Sequence, residues 1–184
     1  MLIGQASIDE NGNIQGPTSG DQTGREINIS NFYSFPWNYV LRCKDATYAD
    51  RAATYMEEIA KNSNFGYSQI NRWAGYISIK ANDGKVQGAY GDFDCSSLVI
   101  SCYVLAGVPG LKAGSGYTGN MKSLFLNTGY FEVFTDSAHL TNANYMRRGD
   151  IYVNTTSHTV MGLDNGTAGG SVAKPYSPAY KTKN

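Results

Sequence analysis

The chain has 184 residues, enough for one domain with a buried core, and its 15 basic residues balance 15 acidic ones. A pI of about 6.7 leaves no basic face for nucleic acid or an anionic membrane surface, and no run approaches the roughly 18 apolar residues of a membrane span. Three cysteines argue against a disulfide framework, and two histidines without close cysteine spacing argue against zinc, so free thiols in a reducing cytoplasm are expected. Residues 1–5, Met-Leu-Ile-Gly-Gln, show no basic region followed by an apolar core, so no secretory signal is expected. With 21 glycines, 14 tyrosines and only 16% charged residues, the surface suits polar, uncharged partners such as glycans or wall polymers.

Residues 1–31 are polar and glycine-rich, with a short strand expected at Ile3–Ile8, closed by the Asn11-Gly12 turn. A second strand is expected from Ile27, and a third over Trp37–Cys43. Asp45 caps the first clear helix, with Ala49, Ala52, Ala53, Met56, Ile59 and Ala60 on one face. Gly66-Tyr67-Ser68-Gln69 reads as a turn, and Ser68 as the cap of a second helix with Ile70, Trp73, Ala74, Ile77 and Ala81 on its buried face. A third helix is expected at about 94–106, capped by Asp94 and ended by Gly107 and Pro109. Its buried face carries Leu98, Val99, Cys102, Leu105 and Ala106. The glycine-rich loop 107–120 is long enough to form a functional rim. A short helix at 121–126 and strands at 130–134, 148–153 and 157–164 follow. The chain then runs into a linker-like tail at 167–184, placing one catalytic domain at 1–166 with segment 1–43 completing its sheet.

Cys95 stands in the first turn of the third helix. Unpaired backbone N–H groups and the positive end of the helix dipole favour a thiolate there, and such thiols can fall to roughly pKa 3.5–7.5. Cys102, one face-period later, is an ordinary core cysteine. A nucleophilic thiol needs a base, and only His139 and His158 are available. His158 opens a strand; His139 fits no motif and is expected to be structural or on the surface.

The Asp94-Cys95-Ser96-Ser97-Leu98 helix start, Arg148-Gly149-Asp150-Ile151-Tyr152-Val153 and Ser157-His158-Thr159-Val160-Met161-Gly162-Leu163 resemble, in order, the NlpC-type, papain-like cysteine peptidoglycan hydrolases, in particular their bacteriophage endolysin branch. The match covers roughly residues 66–166. It implies an α+β fold with helices packed on a central antiparallel sheet and the nucleophile at a helix N-terminus. It implies Cys95 as nucleophile and His158 as general base. Tyr67, in Gly66-Tyr67-Ser68-Gln69 with Arg72 just after, matches the tyrosine that faces the site, and Asp94 and Ser96 flank the nucleophile at substrate-binding positions. It implies hydrolysis of a wall amide, either the muramoyl–L-alanine amide or a stem-peptide bond such as D-glutamyl–diamino acid. The resemblance calls for no metal or organic cofactor. It further implies a monomer, made in the host cytoplasm and let through by a partner pore protein, a holin.

The family's third polar residue, which orients the histidine, sits about a dozen residues after the histidine strand. Here that region is Gly169-Gly170-Ser171, which cannot serve, and Asp164 lies six residues along the same strand, about 20 Å away at roughly 3.3 Å per residue. Residues 3–12, Gly20–Ile27 and Pro36–Arg42 resemble the C-terminal segments of related endolysins. The chain therefore reads as circularly permuted relative to them, with strand 3–8 beside strand 158–164 and Gln5 as the orienting residue, Asp21 or Gln22 being the alternatives. A Gln oxygen can accept the imidazole N–H and set its tautomer. Two other readings remain: a thiol acyltransferase on the same fold, and a wall-binding phage protein without catalysis.

Overall fold

The computed structural model describes residues 1–14 and 18–168. Short apolar segments bounded by turn residues form the strands. β1 (Leu2–Ala6), β2 (Ile27–Asn31) and β3 (Tyr39–Cys43) come first; β6 (Phe131–Phe134), β7 (Ile151–Asn154) and β8 (His158–Gly162) complete a six-stranded antiparallel sheet in the order β2-β1-β8-β7-β3-β6. The N-terminal strand lies beside the histidine strand, with Ile3 opposite Gly162 and Gly4 opposite Met161. β4 (Phe65–Tyr67), in a segment the sequence reads as a turn, and β5 (Gly91–Phe93) make a separate parallel pair. Three residues without alternation carry no strand signal of their own. The architecture is α+β.

Helix α1 (Ala46–Ala60) begins where expected, with the Asp45 carboxylate accepting from the backbone N–H of Thr47 and Tyr48. Helix α3 (Cys95–Ala106) is capped reciprocally: Asp94 accepts from the Ser97 N–H, and the Ser97 hydroxyl faces the Asp94 N–H. Gly107 ends it at φ 99°, a left-handed conformation in which a Cβ is strained. The sequence predicts one buried face for α3, yet every residue from Ser96 to Tyr103 is buried. The helix packs against α1 and β8, and only its ends approach solvent, with Cys95, Val104 and Leu105 half-buried although Leu105 is expected on the buried face.

Helix α2 (Ala74–Ala81) differs more. It starts six residues after Ser68, whose hydroxyl instead closes a turn by accepting from the Ile70 and Asn71 N–H groups. The helix buries Gly75 and Ile79, while Ile70 and Ile77 are 67% and 63% exposed. Gly75 sets this orientation: a Cβ there would lie 2.3 Å from the Phe93 ring, so the bare backbone is what lets the helix settle on Phe93. Helices α4 (Met121–Leu126) and α5 (Ser137–Leu140) are short.

One face of the sheet, with Leu41, Ile151, Val153 and Met161, packs with α1 and α3 into the main core. The other face carries Ile3, Val40, Tyr152 and Val160 under Trp37 and Met146. The Arg148-Gly149-Asp150 motif is a brace. Arg148 bonds Asp50 and Glu57 of α1 at 2.8 and 2.6 Å, and Asp150, 1% exposed, takes both Nε and Nη2 of Arg42 on β3 at 2.9 and 2.7 Å. It locks the two strands around His158 to helix and sheet. Beyond residue 168 the linker-like tail lies outside the described residues. No helix among the described residues is long and apolar enough to cross a membrane.

Candidate active site

Cys95 is the first residue of α3 and half-buried. Helix α3 packs against β8, and the backbone N–H groups of Thr159, the residue after His158, and of Ser96 act to lower the thiol pKa. The low thiol pKa expected of a helix N-terminus is not what this environment produces. Burial, then the Asp94 charge, push the thiol up to about 11, outweighing the two N–H groups and Arg72.

His158 opens β8. Its Nε2 lies 2.8 Å from Gln5 Oε1, whereas Asp21 caps the Thr23 and Gly24 N–H groups and Gln22 donates to the Ser19 carbonyl. The imidazole stacks on Trp37 with ring centres 6.3 Å apart and meets Phe35 nearly edge-on at 6.2 Å. Burial lowers its pKa to about 4. The ring is therefore neutral near pH 7, and because Gln5 Oε1 only accepts, this contact calls for the proton on Nε2, which puts the lone pair on Nδ1. Gln5 is itself 8% exposed and takes a second donor, the Tyr33 hydroxyl at 2.8 Å. Tyr33 is raised to about 12 by burial and by the neighbouring Cys95.

Tyr67 is buried at the end of β4, its hydroxyl 3.2 Å from Gln69 Nε2 and its pKa pushed to about 12 by burial. In the β4–β5 register Tyr67 lies beside Phe93, two residues before Cys95. Asp94 and Ser96 are already engaged within the protein. Arg72 Nε meets Asp94 Oδ2 at 2.7 Å, and its Nη2 donates to Ser96 Oγ and the Gly116 carbonyl, each at 2.7 Å. Arg72 thus ties the first turn of α3 to the glycine-rich loop, whose Tyr117 and Thr118 line the Cys95 cleft together with Thr156 and Ser157. That cleft holds about 370 Å³. A hollow of about 530 Å³ beside Glu58, Lys61 and Gln87 is larger but is lined by no cysteine and no histidine.

Tyr33, Phe35 and Trp37 were not singled out from the sequence. Their signal is three aromatics at alternate positions, which reads as strand patterning; only the tertiary structure folds them over His158. His139 is elsewhere, stacked on Phe134 at 4.1 Å and bonded to Asp136 at 2.8 Å. Among the described residues no three His, Cys, Asp or Glu side chains converge as metal ligands.

Over residues 3–169 the chain matches a family model described as the Endolysin-like domain. No curated protein and no solved structure matches it. The chain belongs to the endolysin-like domain family, whose members are phage-type lytic enzymes that act on the bacterial cell wall.

Proposed function

We propose that this endolysin-like protein is an NlpC-type thiol hydrolase that cuts an amide bond of peptidoglycan, either the muramoyl–L-alanine amide or a D-glutamyl stem bond. The observation that carries the reading is the Gln5–His158 contact, 2.8 Å long, on the strand that packs against the helix opened by Cys95. With thiol and imidazole both neutral at rest, His158 Nδ1 takes the Cys95 proton as Sγ attacks the amide carbonyl. The carbonyl π electrons move to oxygen, and the Cys95 backbone N–H and the Tyr67 hydroxyl stabilise the oxyanion. Collapse breaks the C–N bond, and the His158 proton passes to the leaving amine. A water molecule, deprotonated by His158, then attacks the thioester carbonyl, and the thiol returns with its proton.

Asp94 and Ser96 serve the substrate through Arg72, which they hold at the cleft wall. The protein works as a monomer that reaches the wall from the host cytoplasm through a holin-type pore. The deciding experiment is mass spectrometry of purified peptidoglycan after incubation with wild type and with Cys95→Ala. Fragments from wild type alone establish the hydrolase, and the new termini name the bond: free lactyl groups for an amidase, cut stems for an endopeptidase. Absence of fragments from wild type on walls of several stem chemistries overturns the reading.

A further inference from the structure

The hydrogen bonds behind Gln5 run in one direction. Residue 28 lies directly opposite residue 5 in the β1–β2 register. Gln5 Nε2 is 3.3 Å from Asn28 Oδ1 and 3.4 Å from Ser30 Oγ. Asn28 is oriented by a partner of its own, because its Nδ2 donates to the Arg25 carbonyl at 2.7 Å. A backbone carbonyl can only accept. Asn28 must therefore present Nδ2 to Arg25 and Oδ1 to Gln5, and Gln5 must present Nε2 to Asn28 and Oε1 to His158. The other two neighbours impose no such polarity. Ser30 and Tyr33 contact Gln5 through hydroxyls, which donate or accept according to what faces them.

We propose that Asn28 is a positioning residue that acts through Gln5 to hold the His158 proton on Nε2, leaving the Nδ1 lone pair for the Cys95 thiol. A reversed Gln5 amide would set Oε1 against Asn28 Oδ1 and turn its NH₂ group toward His158 Nε2. The imidazole would then carry its proton on Nδ1 and have no lone pair on that side to accept the thiol proton. The catalytic consequence rests on the thiol-hydrolase reading above; the tautomer does not.

The test is nitrogen NMR of ¹⁵N-histidine-labelled protein at pH 7, with His158 assigned by His139→Gln, alongside kcat/KM for wall hydrolysis. In wild type, His158 is expected to show a protonated Nε2 and an unprotonated Nδ1. Asn28→Leu removes the fixed acceptor, so the Nδ1–H tautomer should appear and kcat/KM should fall about tenfold or more. Asn28→Asp keeps an acceptor toward Gln5 and should retain the wild-type tautomer and more activity than Asn28→Leu. Ser30→Ala, which removes only a hydroxyl of adaptable polarity, should leave the tautomer unchanged. A wild-type ring protonated on Nδ1 overturns the proposal even if Asn28→Leu does not fold. So does an unchanged tautomer in Asn28→Leu, or a tautomer lost equally in Ser30→Ala. Wall cleavage by Cys95→Ala would instead sink the hydrolase reading and leave the tautomer assignment to the spectra.

Discussion

Gln5 Oε1 and His158 Nε2 are 2.8 Å apart although 153 positions separate them in the chain. The β1–β8 register explains the meeting. Ile3 faces Gly162, so residues 3, 5, 158 and 160 point to the same side of the sheet, and Gln5 reaches His158 diagonally across the strand pair. A shift of one residue would turn Gln5 into the helical core and leave His158 without its acceptor.

This contact should govern rate more than binding. Gln5→Ala is expected to lower kcat about tenfold or more with little change in KM, because a hydrogen bond to a group that becomes charged is worth ~1.5–3 kcal/mol. Gln5→Glu places a carboxylate against the imidazole and should raise the His158 pKa. Steady-state kinetics on labelled wall fragments checks both; a Gln5→Ala enzyme with wild-type kcat would remove Gln5 from the mechanism.

The acid limb of kcat/KM should fall near pH 4, since burial lowers His158 to about that value and protonation removes the base. Trp37→Ala opens the stacked face to water, weakens the desolvation, and should move this limb upward toward the ordinary 6.5. Stability follows the same sign. The unfolded chain takes up the His158 proton before the folded one does, so this contribution is complete above pH 6.5 and is lost as pH falls through about 4. Urea midpoints measured from pH 7 down to pH 4 should decline, and His158→Gln should decline less.

Thiol alkylation should separate the three cysteines. Cys102 is fully buried and should not react in the folded state; Cys43 is 8% exposed and should react slowly. Cys95 lines the cleft, and because its thiol is pushed to about 11, its alkylation rate should keep rising with pH beyond neutrality. A rate that levels off below pH 7 would mean a resting thiolate–imidazolium pair instead of two neutral groups.

Arg42→Met should destabilise without touching the cleft. It strips a bidentate guanidinium from Asp150, a carboxylate 1% exposed, a change that costs ~3–5 kcal/mol. For a chain of this size that is roughly a 10 °C fall in melting temperature. Adding Asp150→Asn should recover part of the loss, and calorimetry of the two variants decides it.

Much of the frame was legible along the chain. Asp45 and Asp94 marked two helix starts, Gly107 a helix end, and the segments at Tyr39 and His158 two strands, because caps, turns and apolar spacing act between near neighbours. The face of α2 was not legible, since Gly75 seats on Phe93, eighteen positions away, and local periodicity is blind to that. β4 and β5 were missed for the same reason: each is a strand only because the other lies beside it.

The sequence by itself determined most of the local elements, the scarcity of candidate bases and the placement of Cys95 at a helix start. It also paired strand 3–8 with the His158 strand, through its resemblance to endolysins. Only the tertiary structure decided which groups surround that pair and how they are charged. Tyr33, Trp37 and Asn28 reach the site from a distant segment, and burial overrides the helix end to keep the Cys95 thiol protonated and the His158 ring neutral. Desolvation depends on everything packed around a group, and no stretch of neighbouring residues contains that information.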